Sequence, residues 1–176
     1  MNENSRLQLR LQLHHNGYVP LPLAGKAPLL RGWESIQPDE VMIRAWERRP
    51  ELGNTGIRCD TIPAIDIDIL DAAGVEIVRD AISFMGPLLW RTGRAPKCAV
   101  LFRTSKPFQK ITHRYGAPDG SSHLIEVLGR RQVLASFGTH PDTVLPFRWA
   151  PESPFEVLRA ELPELYEELA RDVLAE

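Results

Sequence analysis

Neither a long apolar run nor an excess of one charge marks this chain. No stretch approaches the roughly 20 apolar residues that cross a bilayer, and the opening MNENSRLQLRLQLHH lacks the apolar core of a signal peptide. The expectation is a soluble, cytoplasmic protein without membrane contact. Cysteine is scarce: Cys59 and Cys98 stand alone, without metal-site spacing or a disulfide framework, and read as reduced thiols. The net charge of -2 excludes the overall basic excess of a nucleic-acid coat protein, although it leaves room for a local basic groove. Internal repeats and low-complexity linkers are missing too. What remains is a chain of 176 residues, 43% hydrophobic and 25% charged, enough for one domain with a real core.

The pattern along the chain is mixed. Ser5 to His15 reads as a helix with Leu7 and Leu11, then Leu9 and Leu13, turned inward. NGYVPLPL makes a turn and a short extended piece, because each residue before a proline is pushed toward β. GKAPLLRGW reads as a loop. PDEVMIRAWERR reads as a short helix, with Pro38 in its first turn, acids early and arginines late. ELGNTGIRC is a turn entering an extended segment, and Ile62 to Leu70 is the most strand-like stretch. Helical spacing follows from Asp71 to Met85. Strands are expected at Leu88–Thr92, Cys98–Arg103 and Leu124–Leu128, with short closing strands at Val133–Phe137 and Phe147–Trp149. An acidic amphipathic tail, Phe155 to Glu176, is broken at Pro163. Helices early and an antiparallel-rich sheet later make the fold class α+β.

The chemistry concentrates in AIDIDIL, Ala64 to Leu70. Aspartate is depleted in strands, yet two share one face here. At a rise of about 3.3 Å per residue, Asp66 and Asp68 lie on one side with Cα atoms about 6.5 Å apart. Ile65, Ile67 and Ile69 take the opposite side and bury it. Two carboxylates over an apolar floor suit two Mg²⁺ or Mn²⁺ ions, hard cations that want oxygen ligands and sit about 3.5–4 Å apart in phosphoryl-transfer sites. A bare Asp-x-Asp more often marks a solvated strand face. Asp71 ends the strand and is placed to cap the next helix. HLIEVLG puts a third acid, Glu126, on another strand. WRTGRAPK gathers Arg91, Arg94 and Lys97 around a glycine, an arrangement that fits triphosphate charge, and GTHPD sets His140 in a turn where it can donate to phosphate. Taken singly, each of these cations also fits an ordinary solvated position.

Six segments in order, GKAPLLRGW, GNTGIR, IDIDI, RTGRAPK with LFR, IEVLGRRQVLASFGTHPDT and FRW, resemble the bifunctional DNA primase/polymerase N-terminal domains of the archaeo-eukaryotic primase superfamily, in their phage and mobile-element form. The resemblance runs from about Gly17 to Trp149. It implies a catalytic core with an RRM-like sheet behind an N-terminal αβ unit, residues 1–150, with 151–176 a helical tail that packs on it or leads to an accessory domain. It implies template-directed nucleotidyl transfer by a two-metal mechanism, with Asp66, Asp68 and Glu126 as catalytic metal ligands. Arg91, Arg94, Lys97 and His140 would bind the nucleotide, and Lys26, Asn54, Gly56 and Gln132 would supply further nucleotide or template contacts. The implied partners are a single-stranded DNA template, dNTP or NTP, and a replicative helicase or helical accessory domain, in a bacterial or phage-infected cell.

One departure stands out. The superfamily usually carries a nucleotide-binding histidine shortly after the Asp-x-Asp strand, whereas GRAPKCAV has none. Lys97 and His140 are the candidates to replace it. The alternative to an enzyme is a non-catalytic module of a replication protein that binds nucleic acid or nucleotide.

Overall fold

The computed structural model describes residues 3–116, 120 and 122–175. Helix α1, Glu3–His15, leads into strand β1, Pro20–Ala24, which turns back as the two-residue strand β2, Ala27–Pro28. Helix α2, Glu40–Trp46, is capped by Asp39, whose carboxylate accepts from Met42 N at 2.7 Å. Pro38 therefore lies just outside the helix rather than in its first turn. Strand β3, Asn54–Arg58, precedes β4, Ala64–Asp68. Helix α3, Ala72–Ile82, begins where Asp71 accepts from Gly74 N at 2.8 Å, the capping role its position suggested. After a single 3-10 turn at Ser83–Met85 come β5, Trp90–Arg94, and β6, Lys97–Leu101. Then follow β7, Ile111–Gly116, β8, Ser122–Leu128, β9, Val133–Phe137, and β10, Arg148–Ala150. Helix α4, Glu167–Ala175, closes the described chain, while Glu176 at the end of the expected tail lies outside the described residues.

The strands build two antiparallel sheets, one in the order β2-β1-β3-β9 and one in the order β10-β5-β6-β4-β8-β7. The fold is α+β with few helices. The larger sheet has β4 near its middle, between β6 and β8. On one face Ile65, Ile67, Val100, Ile125 and Val127 pack with Val75 and Ile82 of α3 and Ala170 and Leu174 of α4. Complete burial of each isoleucine contributes about 1.5–3 kcal/mol, so β4 is firmly seated. The tail thus rests on the sheet, with Leu165 in the same core and Tyr115 Oη donating to Leu174 O at 2.7 Å. On the other face Ala64, Ala99, Leu101 and Leu128 meet Ile57, Leu134, Leu9 and Leu13. That face changes from core at Ala64 to an open cleft at Asp66, because the small sheet covers only part of it.

Two elements differ from the sequence reading. β7 falls in a segment to which the sequence reading assigned no element, and it pairs along its whole length with β8. α1 is buried on more sides than an amphipathic stripe implies, since Arg6 and Arg10 are buried beside its leucines. Arg10 donates to Glu47 Oε1 at 2.6 Å, Leu52 O at 2.6 Å, Thr55 Oγ1 at 2.9 Å and Asn54 O at 2.9 Å, tying α1 to α2 and β3. Burial lowers its guanidinium pKa to about 10, against the pull of Glu47. Among the described residues no helix is long and apolar enough to cross a membrane.

Candidate active site

Strand register decides which side chains meet. Asp66 stands opposite Ala99 on β6 and opposite Glu126 on β8. Arg91 stands opposite Ala99 from the far side, and Thr112 stands opposite Glu126. One row across the sheet therefore reads Arg91, Ala99, Asp66, Glu126, Thr112, all on the face away from the isoleucines. Directly opposed residues carry Cβ atoms about 4.5–5.5 Å apart, so two carboxylates from neighbouring strands are forced together. Asp68 lies two residues further along the same face, opposite Leu124. Ala99 matters by its size: it leaves the space over which Arg91 reaches Asp66.

Each carboxylate faces a basic side chain. Arg91 Nη2 lies 3.6 Å from Asp66 Oδ1, Lys97 Nζ contacts Asp68 Oδ1, and Lys110 Nζ lies 2.6 Å from Glu126 Oε1. About a third of the Asp66 side chain faces the cleft. Its carboxyl is nevertheless held above the ordinary carboxylate range, chiefly by loss of water; Arg91 opposes the rise, and Asp68 and Glu126 add to it. Arg91 is buried, its guanidinium 5.1 Å from the centre of the Phe147 ring. Burial lowers its pKa while Asp66 raises it, and its Nε has no hydrogen-bond partner among the described residues. A buried cation with an unused donor at a cleft wall is suited to an anionic ligand.

The cleft over this row holds about 330 Å³ and is bounded by both sheets. Asp66, Asp68, Arg91, Arg94, Lys97, Lys26 and His140 all line it, so seven of the residues singled out in the sequence converge there. The opposite wall is Val133, Leu134 and Ala135 of β9, with Asp142 at the rim. His140 is 3% exposed, and its Nδ1 accepts from Asp142 N at 3.2 Å. An accepting Nδ1 leaves the hydrogen of a neutral ring on Nε2, a donor. Burial and then the cations Lys26, Arg91 and Arg94 lower the His140 pKa, against Asp142, which keeps the ring neutral. Gly93 makes this packing possible: a Cβ there would fall 2.7 Å from both His140 Cδ2 and Phe147 Cε1.

Asn54, Gly56 and Gln132 lie outside the cleft lining. Asn54 is buried and works through the backbone: its Nδ2 donates to Gly25 O at 2.8 Å and Thr139 O at 2.7 Å, and its Oδ1 accepts from Thr139 N at 2.9 Å. It pins the neighbours of Lys26 and His140, and so positions both. Gly56 lets β1, β3 and β9 close up, since a Cβ there would meet Val133 Cγ2 at 2.6 Å. Gln132 donates to Arg131 O at 2.9 Å. Glu126 belongs to the row, opposite Asp66, but lies outside the cleft lining. Sequence reasoning did not find Asp142, Lys110 or Thr112. For Thr112 the signal was present in Ile111–Tyr115, where β-forming Ile, Thr and Tyr are mixed with polar residues.

The donor set fits a hard divalent cation, being three carboxylates with no thiol among them. As the side chains stand, no group of three or more acids, histidines or cysteines among the described residues converges on one point. Asp66, Asp68 and Glu126 would hold the cation by turning from their basic partners.

The model of the family "Bifunctional DNA primase/polymerase, N-terminal" matches residues 10–165. The chain belongs to that family. No curated protein matches it. Membership points to a nucleotidyltransferase-type enzyme with DNA primase/polymerase activity, whose substrates are DNA and nucleotides and whose family generally uses divalent metals.

Proposed function

We propose that this protein performs template-directed nucleotidyl transfer, as primase, polymerase or both, in phage or mobile-element DNA replication. The observation that carries the reading is the row in which Asp66 and Glu126 oppose each other, with Asp68 beside them and a cationic cleft wall to one side. Two Mg²⁺ or Mn²⁺ ions bound there supply charge neutralisation at the reacting phosphate and a more acidic attacking hydroxyl. Asp66, Asp68 and Glu126 would hold them, on strands fixed by the isoleucines of the opposite face. Arg91, Arg94, Lys97 and Lys26 neutralise the triphosphate, and His140 donates from Nε2 without adding charge. The strand's 3′-hydroxyl oxygen bonds to the α-phosphorus, the bond to the bridging oxygen breaks, pyrophosphate leaves, and the hydroxyl proton passes to solvent. In this reading the larger sheet with α3 is the RRM-like core, residues 1–150 are the catalytic unit, and 151–176 are a tail that packs on it or leads to an accessory domain.

A second reading, a non-catalytic binding module, draws on the basic partner that each carboxylate already has. Incorporation of labelled nucleotide on primed and unprimed single-stranded templates, with each metal, separates the two. The enzyme reading expects incorporation by the wild type and none by Asp66→Ala/Asp68→Ala. No incorporation by either supports the module, and equal incorporation by both refutes Asp66 and Asp68 as the catalytic pair.

A further inference from the structure

Arg91, Arg94 and Lys97 stand on the β5–β6 side of the carboxylates. On the other side lies β7, the edge strand of the six-stranded sheet. Its register fixes which side chains share the carboxylate face. Thr112 stands opposite Glu126, and Arg114 stands opposite Leu124, which itself stands opposite Asp68. Lys110, two residues before Thr112, continues that face. Lys110 Nζ reaches Glu126 Oε1 at 2.6 Å, and Thr112 Oγ1 donates to the same oxygen at 3.4 Å. Arg114 is exposed and has no ion-pair partner among the described residues. The back of the strand is anchored, with His113 stacked on Tyr115 at 4.2 Å and Tyr115 bonded to Leu174 O. The open face is therefore presented on a fixed support.

Neighbouring strands lie about 4.8 Å apart, so β7 stands about 10 Å from β4 on one side, as β5 does on the other. Across β5 to β7 the face reads cations, carboxylates, cations. The whole chain carries -2, so this banding is local and not part of a general basic surface.

Displacement at phosphorus puts the attacking and leaving oxygens in line. With pyrophosphate leaving toward Arg91, Arg94 and Lys97, the attacking hydroxyl arrives from the β7–β8 side. We propose that Lys110, Thr112 and Arg114 form a track for the backbone phosphates of the single strand that carries this hydroxyl, separate from the triphosphate cations across the sheet. The assignment rests on the nucleotidyl-transfer reading above.

Fluorescence anisotropy of a labelled single-stranded oligodeoxynucleotide over a salt series tests it, alongside titration with a fluorescent nucleoside triphosphate. Arg114→Ala and Lys110→Gln are each expected to weaken oligonucleotide binding about 5–10-fold, and Arg114→Ala to lower the salt slope by about 0.7, with triphosphate binding unchanged. Arg94→Ala is expected to show the reverse pattern. Thermal melting checks that the variants fold, and the exposure of Arg114 favours that outcome. If the wild type binds oligonucleotide and both β7 variants match it in affinity and salt slope, the track is wrong while nucleotidyl transfer stands. Equal loss of both ligands in Arg114→Ala also refutes a separate track. A wild type that binds neither ligand removes this proposal and the functional reading together.

Discussion

Replacing Asp66 by asparagine keeps its shape and removes one charge from the crowded row. At an effective dielectric of 20, Arg91 at 3.6 Å contributes about 4–5 kcal/mol of attraction to the ionised carboxyl. Glu126 at about 5 Å and Asp68 at about 6.5 Å return about 3 and 2.5 kcal/mol of repulsion, before their own lysine partners are counted. Attraction and repulsion nearly cancel, so the loss of water decides, and it disfavours the charge. After a discount for the third of the side chain still in solvent, Asp66→Asn is expected to stabilise the metal-free protein by about 1 kcal/mol. That corresponds to about 2–4 °C in Tm for a chain of this length. The sign with pH follows from the raised carboxyl. Protonated Asp66 is no burden below about pH 4, and its stabilising contribution is lost as pH rises through the folded value, so the gap between variant and wild type should close in acid. Melting with Mn²⁺ completes the test. The wild type is expected to gain about 2.7 kcal/mol at 100 times its Kd and the variant almost nothing. Equal Mn²⁺ shifts in both proteins, or a variant several degrees less stable without metal, would refute the reasoning.

Other consequences are as direct. Arg10→Met leaves the carbonyl oxygens of Leu52 and Asn54 without their buried donor and Glu47 with Arg6 alone, and should cost about 3–5 kcal/mol in urea unfolding, with little change in the cleft. Gly93→Ala drives a methyl group into His140 and Phe147; a stability loss of about 1–3 kcal/mol with weakened nucleotide binding is expected, measured by melting and triphosphate titration. Because the His140 pKa is lowered, its contribution to stability is complete above about pH 6.5 and declines as pH falls from there toward the folded value; NMR titration of its ring should show a midpoint below 6.5. Asn54→Ala releases both the Gly25 and Thr139 contacts and should raise the nucleotide KM more than it lowers kcat, since Lys26 and His140 lose their support.

Much of the site was written in local pattern. Alternation alone placed Ile65 and Ile67 in the core and both aspartates on the other face, because a strand's side chains must point to opposite sides whatever surrounds them. The Asp71 cap and the β9 strand were legible for the same kind of reason: the forces that form them act within a few residues. Tertiary structure decided what stands next to what. Only the pairing of β4 with β8 sets Glu126 opposite Asp66, and only the fold of the 138–147 segment over Gly93 brings His140 against the cleft. Nothing local marks Arg10 for burial until α2 and β3 supply four acceptors around it, and Asn54 reads as a ligand contact until the loops it pins are in place. Strand β7 was missed because its polar side chains gain a reason to be extended only when β8 lies beside them. The sequence alone determined the periodicity of the strand and the chemistry it carries. Register and long-range burial, which join residues far apart in the chain, determined that these groups form one site.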